Sequence, residues 1–190
     1  MFDYPILSLL IWTPIIIGIF LVLSQDISDT FSELIFSIST FFIFILVLIL
    51  THNFNITNSN LQFVEKSLWI DGFDIYYFLG VDGISISLIL LTSLITFLIS
   101  IFCISEKYHD KSSYIGYFLI LEGLLIGTFT AFDSILFYIF FESLLIPLFL
   151  IIGIWGGNNR RYATIKFFLY TLFGSVLMLI SIIYLSQIGN

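Results

Sequence analysis

Glu142 is the residue whose position in this chain most demands a chemical account. It lies near the middle of an apolar run from Ser134 to Gly153 that carries no other charge. A carboxylate at the centre of a bilayer costs about 2.5–3.5 kcal/mol on insertion scales, and more by simulation. A cationic partner, a chain of water or protonation has to offset that cost. Ion and proton pathways are built from such residues. A permanent pair with a cation would only fix helix packing and register. A partner that moves would make a switch, because burial favours the neutral acid whereas a nearby lysine favours the carboxylate.

Glu122 poses the same problem in the preceding apolar run. Gly123 follows it, with Gly116 and Gly127 nearby, and small residues let helices approach closely. Two readings of Glu122 stay open: a packed polar residue satisfied by Ser or Tyr, and a proton relay. Pro147 stands five residues beyond Glu142. It has no N–H, so the Ser143 carbonyl loses its usual donor and the helix is expected to bend. The freed carbonyl can hold water or an ion beside the carboxylate. Lys166 lies near the start of the last apolar run. Its ammonium either snorkels to the headgroups or faces inward as a cation close to a proton entry route.

The elements that position these groups are helices in a membrane. The chain is 59% hydrophobic and 10% charged, against about 25% charged in soluble domains. Six runs approach or exceed the length that crosses a hydrocarbon core of roughly 30 Å: residues 5–24, 33–50, 83–104, 114–132, 134–154 and 164–186. Backbone groups in lipid must be paired within the segment, and these runs do not alternate with period two, so they are helices. The fold class is therefore all-α and polytopic. The second span is the shortest. The connection 51–80 is long and mixed, and Leu61–Glu65 and Ile75–Leu79 have the composition of short strands that pair at the membrane surface. Asp82 and Asp133 stand where helices begin and are read as N-caps. Spans four and five join almost directly at Ala131–Ser134, which makes them an antiparallel hairpin. Glu122 and Glu142 each lie about ten residues from that turn, or about 15 Å along the helix, so they sit at similar depths.

Charge placement sets the direction. Lys107 and Lys111 lie between spans three and four, and Arg160 and Arg161 between five and six; alternating helices put both connections on one side. Only Lys66 lies in a connection on the other side. The positive side is the cytoplasm or matrix, and both termini face away from it. The connection 25–33 falls on the positive side despite Asp26, Asp29 and Glu33, since acidic residues weigh little in the rule. Arg160 and Arg161 are read as interfacial anchors.

Several function classes drop out. Six Lys and Arg against thirteen Asp and Glu give a net charge of -7, with no basic patch for nucleic acid. Cys103 is alone, so it forms no internal disulfide, and no Cys/His spacing suggests a metal or cluster; it is read as inert packing. His52 and His109 lie far apart in polar connections and are read as surface residues. Asp3 is the only charge before the first run, where a secretory signal needs Lys or Arg, so that run is a retained span. No phosphate loop, nucleophile elbow or metal-binding helix motif occurs.

Three blocks carry a resemblance: Gly80 to Ser85, Ser134 to Gly157, and Lys166 to Ser175. Together they resemble the antiporter-like, proton-pumping membrane subunits of respiratory complex I, of the mitochondrial chain 4 type. The Phe-Glu-Ser…Ile-Pro block around Glu142 and the Lys-Phe-Phe-Leu-Tyr-Thr block from Lys166 are the specific parts; the first 60 residues are weakly diagnostic. The resemblance implies that Glu142 is the family's mid-membrane glutamate on helix five, facing a lysine on helix seven, and that Glu122 is the accompanying acid on helix four. With Lys166 these are the site residues expected here. It further implies the mitochondrial inner membrane, with the N-terminus on the intermembrane-space side. Other membrane-arm subunits and membrane lipid are the implied partners. No cofactor is expected on this chain; NADH, FMN, iron–sulfur clusters and ubiquinone belong elsewhere in the assembly.

The family's subunits have about fourteen spans in two inverted five-helix repeats. This sequence corresponds to three leading helices, residues 1–112, and the first three helices of a repeat, residues 113–190. The expectation is either a second polypeptide carrying helices 7–14 or a truncated sequence. Two competing readings are a free cation/proton antiporter subunit and a purely structural membrane subunit that has lost pumping.

Overall fold

The structure, a computed structural model, describes residues 5–24, 27–58, 60–73, 75–104 and 109–188. Asp3, Asp26 and Lys107 fall outside them. Six helices long and apolar enough to cross a membrane appear among the described residues: α1 (Ile6–Leu23), α2 (Asp29–Asn53), α3 (Gly83–Cys103), α4 (Lys111–Thr130), α5 (Ser134–Trp155) and α6 (Arg160–Ile188). The protein is an integral membrane protein. Between α2 and α3 the chain forms a hairpin of β1 (Gln62–Ile70) and β2 (Ile75–Val81). The strands are antiparallel, with Glu65 opposite Leu79 and Ile70 opposite Ile75, as their composition suggests.

Three span boundaries differ from the sequence reading for a shared reason: polar helix ends are not apolar. α2 has 25 residues and starts at Asp29, so Glu33 lies within it and not in a connection. α4 begins at Lys111, and α6 begins at Arg160. Lys111 is not a loop residue. It is buried and forms an ion pair with Glu33 of α2. The acid on the positive side thus neutralises a cation there, beyond merely being tolerated. Arg160 and Arg161 remain exposed, and Arg160 donates to the Ile154 carbonyl at the end of α5.

Small residues bring α1 and α4 together, as the glycine spacing suggests. Gly18 and Gly116 face each other, and Gly123 lies against the Ile11 carbonyl. The hairpin and the residues beside it then tie four helix ends into one cap. Glu65 of β1 accepts from the Leu7 and Ser8 N–H groups at the start of α1 (2.7 and 3.1 Å), which have no partner within their own helix. Asp82 accepts from the N–H groups of Ile84 and Ser85. Asp133 accepts from those of Ile135 and Leu136, and also from Tyr76 of β2. Phe132 donates to the Phe78 carbonyl at 2.9 Å. At the other end, Trp155 Nε1 donates to the His109 carbonyl (2.7 Å), which places Lys111, Arg160 and Arg161 on one side. Lys66 sits at the opposite end, its ammonium 4.3 Å from the centre of the Tyr76 ring.

The larger apolar cluster, with Leu10, Ile43, Ile89, Ile126 and Phe140, lies toward the hairpin. A smaller one, Leu21, Phe36, Ile115 and Leu119, also encloses Cys103, consistent with a packing thiol. His52 is exposed in the last turn of α2, and His109 contacts Asp110 at the surface.

Candidate functional site

Glu122 is fully buried, and its carboxylate points from α4 toward α3. Its Oε1 accepts a hydrogen bond from Thr96 Oγ1 at 2.6 Å. Its Oε2 is buried with no hydrogen-bond partner among the described residues. The satisfying group is therefore a threonine hydroxyl, neither the Ser nor the Tyr anticipated, and it satisfies only one oxygen. Glu122 makes no ion pair among the described residues.

Glu142 faces a different seam. Gly153 of α5 lies against Thr164 of α6, and Phe149 meets Phe168 edge-on with ring centres 5.3 Å apart. These two contacts set an antiparallel register. Glu142 is seven residues before Phe149 and Ser175 seven after Phe168. A seven-residue step returns to the same helix face, so Glu142 stands on the α6-facing side of α5 at the level of Ser175. Ser175 is buried although its neighbours on α6 are mostly exposed, and its hydroxyl is committed to the Leu172 carbonyl. Glu142 Oε2 is buried and has no hydrogen-bond partner among the described residues. Phe140, two residues away, packs on Gly127 of α4 from the opposite face of α5. The two glutamates share a depth but not an interhelix space.

Lys166 does not join them. It is exposed, on the side of α6 turned away from Thr164 and Phe168, with its ammonium 5.6 Å from the Tyr162 ring centre and 6.0 Å from that of Tyr170. Nine residues separate it from Ser175, about 14 Å along the helix. Among the described residues no ion pair links it to either glutamate. The expectation of an inward cation is not met within these six helices; Lys166 lines an outer groove with Ile165, Leu169 and Phe173. Pro147 is buried, and α5 runs unbroken through it. The Ser143 hydroxyl turns back to the Ile139 carbonyl at 2.7 Å.

Sequence reasoning missed Thr96, because α3 carries several similar hydroxyls and nothing local marks the one that faces Glu122. It also missed Ser175 and the Glu33–Lys111 pair. At the helix entrance, Asp82 is held below the usual carboxylate range, mainly by the Ser85 N–H, with help from the Ser85 hydroxyl and the Ile84 N–H. Among the described residues no cluster of His, Cys, Asp and Glu is arranged to hold a metal.

Comparison with known proteins bears on this arrangement. The family description "NADH:quinone oxidoreductase/Mrp antiporter, TM" matches residues 131–190, which include Glu142 and Lys166. The chain is 40% identical to NADH-quinone oxidoreductase subunit M of Rickettsia prowazekii over 97% of its own length. Residues 131–190 thus carry the membrane domain that this family description covers. A second relative, NADH-ubiquinone oxidoreductase chain 4 of Arabidopsis thaliana, is 41% identical over 93% of this chain. The fold agrees as well: respiratory complex I from Thermus thermophilus with bound NADH contains a chain that superposes with a TM-score of 0.77, at 30% identity over 93% of this chain. The chain spans 38% of the Rickettsia relative, 36% of the Arabidopsis one and 35% of the Thermus chain.

Proposed function

We propose that this chain is part of the proton-translocating membrane arm of an NADH:quinone oxidoreductase, with Glu142 as its principal proton-carrying group. The observation that carries the proposal is the buried Oε2 of Glu142, which has no hydrogen-bond partner among the described residues, on a residue that the helix period assigns to the α6-facing side of α5. The names of its relatives support the assembly. Redox chemistry on NADH, with FMN, iron–sulfur clusters and quinone, belongs to other subunits. Membrane-arm neighbours are the partners of this chain.

The mechanism is electrostatic. Two unit charges 4 Å apart interact by about 4 kcal/mol at an effective dielectric of 20, and half that at about 8 Å. A basic group approaching the α5–α6 space offsets the roughly 2.5–3.5 kcal/mol cost of a charged Glu142, and its withdrawal restores that cost. Movement of one cation by a few ångströms thus loads or releases a proton. That cation comes from outside the six helices. Lys166, on the outer face of α6, is placed to contact adjoining helices and to relay charge from the positive side. Residues 1–112 serve as a leading bundle and residues 113–190 as the first half-site, although the α1–α4 glycine contact ties the two together. The proposed location is the mitochondrial inner membrane, with the N-terminus in the intermembrane space.

A free cation/proton antiporter is the second reading, favoured by the antiporter part of the family description. Co-purification with flavin and iron–sulfur proteins separates the two. The central test is Glu142→Gln in the intact assembly, reconstituted into vesicles. The proposal expects proton translocation coupled to NADH oxidation to fall sharply. Unchanged translocation would remove Glu142 from the pathway and favour a structural role.

A further inference from the structure

Thr96 has one hydroxyl proton and three oxygens within reach. Its Oγ1 lies 2.6 Å from Glu122 Oε1, 3.0 Å from the Thr92 carbonyl and 3.1 Å from the Ser93 carbonyl. A hydroxyl donates once and accepts twice, so these contacts cannot all be donated bonds at once. Two arrangements satisfy the geometry. With Glu122 ionised, Thr96 donates to Oε1, and 2.6 Å suits a charge-assisted O–H···O bond. With Glu122 protonated on Oε1, the acid donates to Thr96 Oγ1, and the Thr96 proton swings to the Thr92 or Ser93 carbonyl. No heavy atom has to move between the two.

Three other buried hydroxyls along α3 do not do this. Thr92 donates to Leu88, Ser93 to Leu90 and Ser100 to Phe97, all within their own helix. Among the described residues Thr96 alone of these four carries its bond to another helix. Both ends of that bond are buried: Thr96 is 4% exposed and Glu122 0%. A merely packed threonine would need no partner across the α3–α4 space, and a merely packed glutamate would leave no buried oxygen unpartnered.

We propose that Thr96 is the positioning residue of a second proton-holding site, Glu122, in the α3–α4 space, acting as a hydroxyl that accepts from the neutral acid and donates to the carboxylate. The site is distinct from Glu142, which faces α6. This inference rests on the proton-translocating reading above, in that turnover is what changes the charge of Glu122. Pre-organised hydrogen bonding that serves both charge states avoids reorganisation at the moment of transfer.

The test is infrared difference spectroscopy on the intact assembly in vesicles during turnover. Glu122→Gln identifies the carboxylic-acid band of Glu122 by its loss. Thr96→Val, which keeps the shape and removes the hydroxyl, is expected to move that band and to slow proton-coupled NADH oxidation about ten-fold, the scale of one lost hydrogen bond to a charged group. Thr96→Ser restores the band and the rate. If Thr96→Val does not assemble, Thr96→Cys, a weaker donor at the same place, must move the band in the same direction by less. A band unmoved in Thr96→Val or Thr96→Cys, or a Glu122→Gln spectrum that loses no band, overturns the proposal. Translocation by Glu142→Gln in the same vesicles judges the parent reading alone: its persistence sinks that reading whatever the Thr96 band does.

Discussion

Replacing Gly123 with alanine is the sharpest test of how the bundle holds its glutamates. A methyl group at this position would stand 2.5 Å from the Ile11 carbonyl oxygen, 2.6 Å from Ile15 Cγ1 and 3.1 Å from Pro14 Cγ. The Ile15 side chain can rotate away. The Ile11 carbonyl belongs to the α1 backbone and cannot. To reach an ordinary separation of about 3.5 Å, α1 must recede by about 1 Å along that contact. Overpacking of this kind costs about 1–3 kcal/mol, a roughly 5- to 150-fold shift in a folding or assembly equilibrium. Gly127 offers the contrast. The three atoms nearest a methyl group there all belong to the Phe140 ring, at 2.8–2.9 Å, and a side chain can turn aside. The assay is the fraction of chain in the intact assembly on native gels after graded heating. Gly123→Ala should be the weaker of the two at every temperature. Wild-type heat resistance in Gly123→Ala would refute the close α1–α4 packing.

Removing the α3 cap with Asp82→Ala should cost about 1 kcal/mol, read as a lower midpoint in the same heating series. The carboxyl of Asp82 is depressed in the folded state, so its contribution is fully present above about pH 4, the unfolded value. It disappears as pH falls through the lower folded value, and the variant and wild type should converge there; a gap that persists in strong acid contradicts this. Lys111→Met leaves Glu33 facing a lost partner, its side chain 17% exposed. Partial water access puts the loss below the roughly 3–5 kcal/mol of a fully buried broken pair. Adding Glu33→Leu should recover most of the assembled fraction, whereas equal losses in the single and double variants would show that the pair is not what links α2 to α4.

How much of this was legible in the sequence depends on range. The six helices, their caps at Asp82 and Asp133, the close glycine contacts and the paired strands were legible because each follows from local composition or from residues within a few positions. The ends of α2, α4 and α6 were not, since Asp29, Lys111 and Arg160 are polar and an apolar window stops before them. Glu65 capping α1 spans 58 residues of sequence, and no local rule links the two. The similar depth of Glu122 and Glu142 follows from the short turn between them. Their divergence into separate interhelix spaces depends on helix rotation, which the Gly127–Phe140, Gly153–Thr164 and Thr96–Glu122 contacts fix and the sequence does not print. Lys166 was ambiguous between two faces for the same reason, and its place between Tyr162 and Tyr170 follows only once Thr164 and Phe168 are known to face α5.

The most direct measurement is a density map of the assembled membrane arm at a resolution that shows side chains and ordered water around Glu142. The account predicts a lysine or arginine nitrogen, or a continuous file of water, within hydrogen-bonding reach of Oε2 in the α5–α6 space near Ser175. A space closed by apolar side chains, with neither a basic group nor water beside the carboxylate, would contradict it.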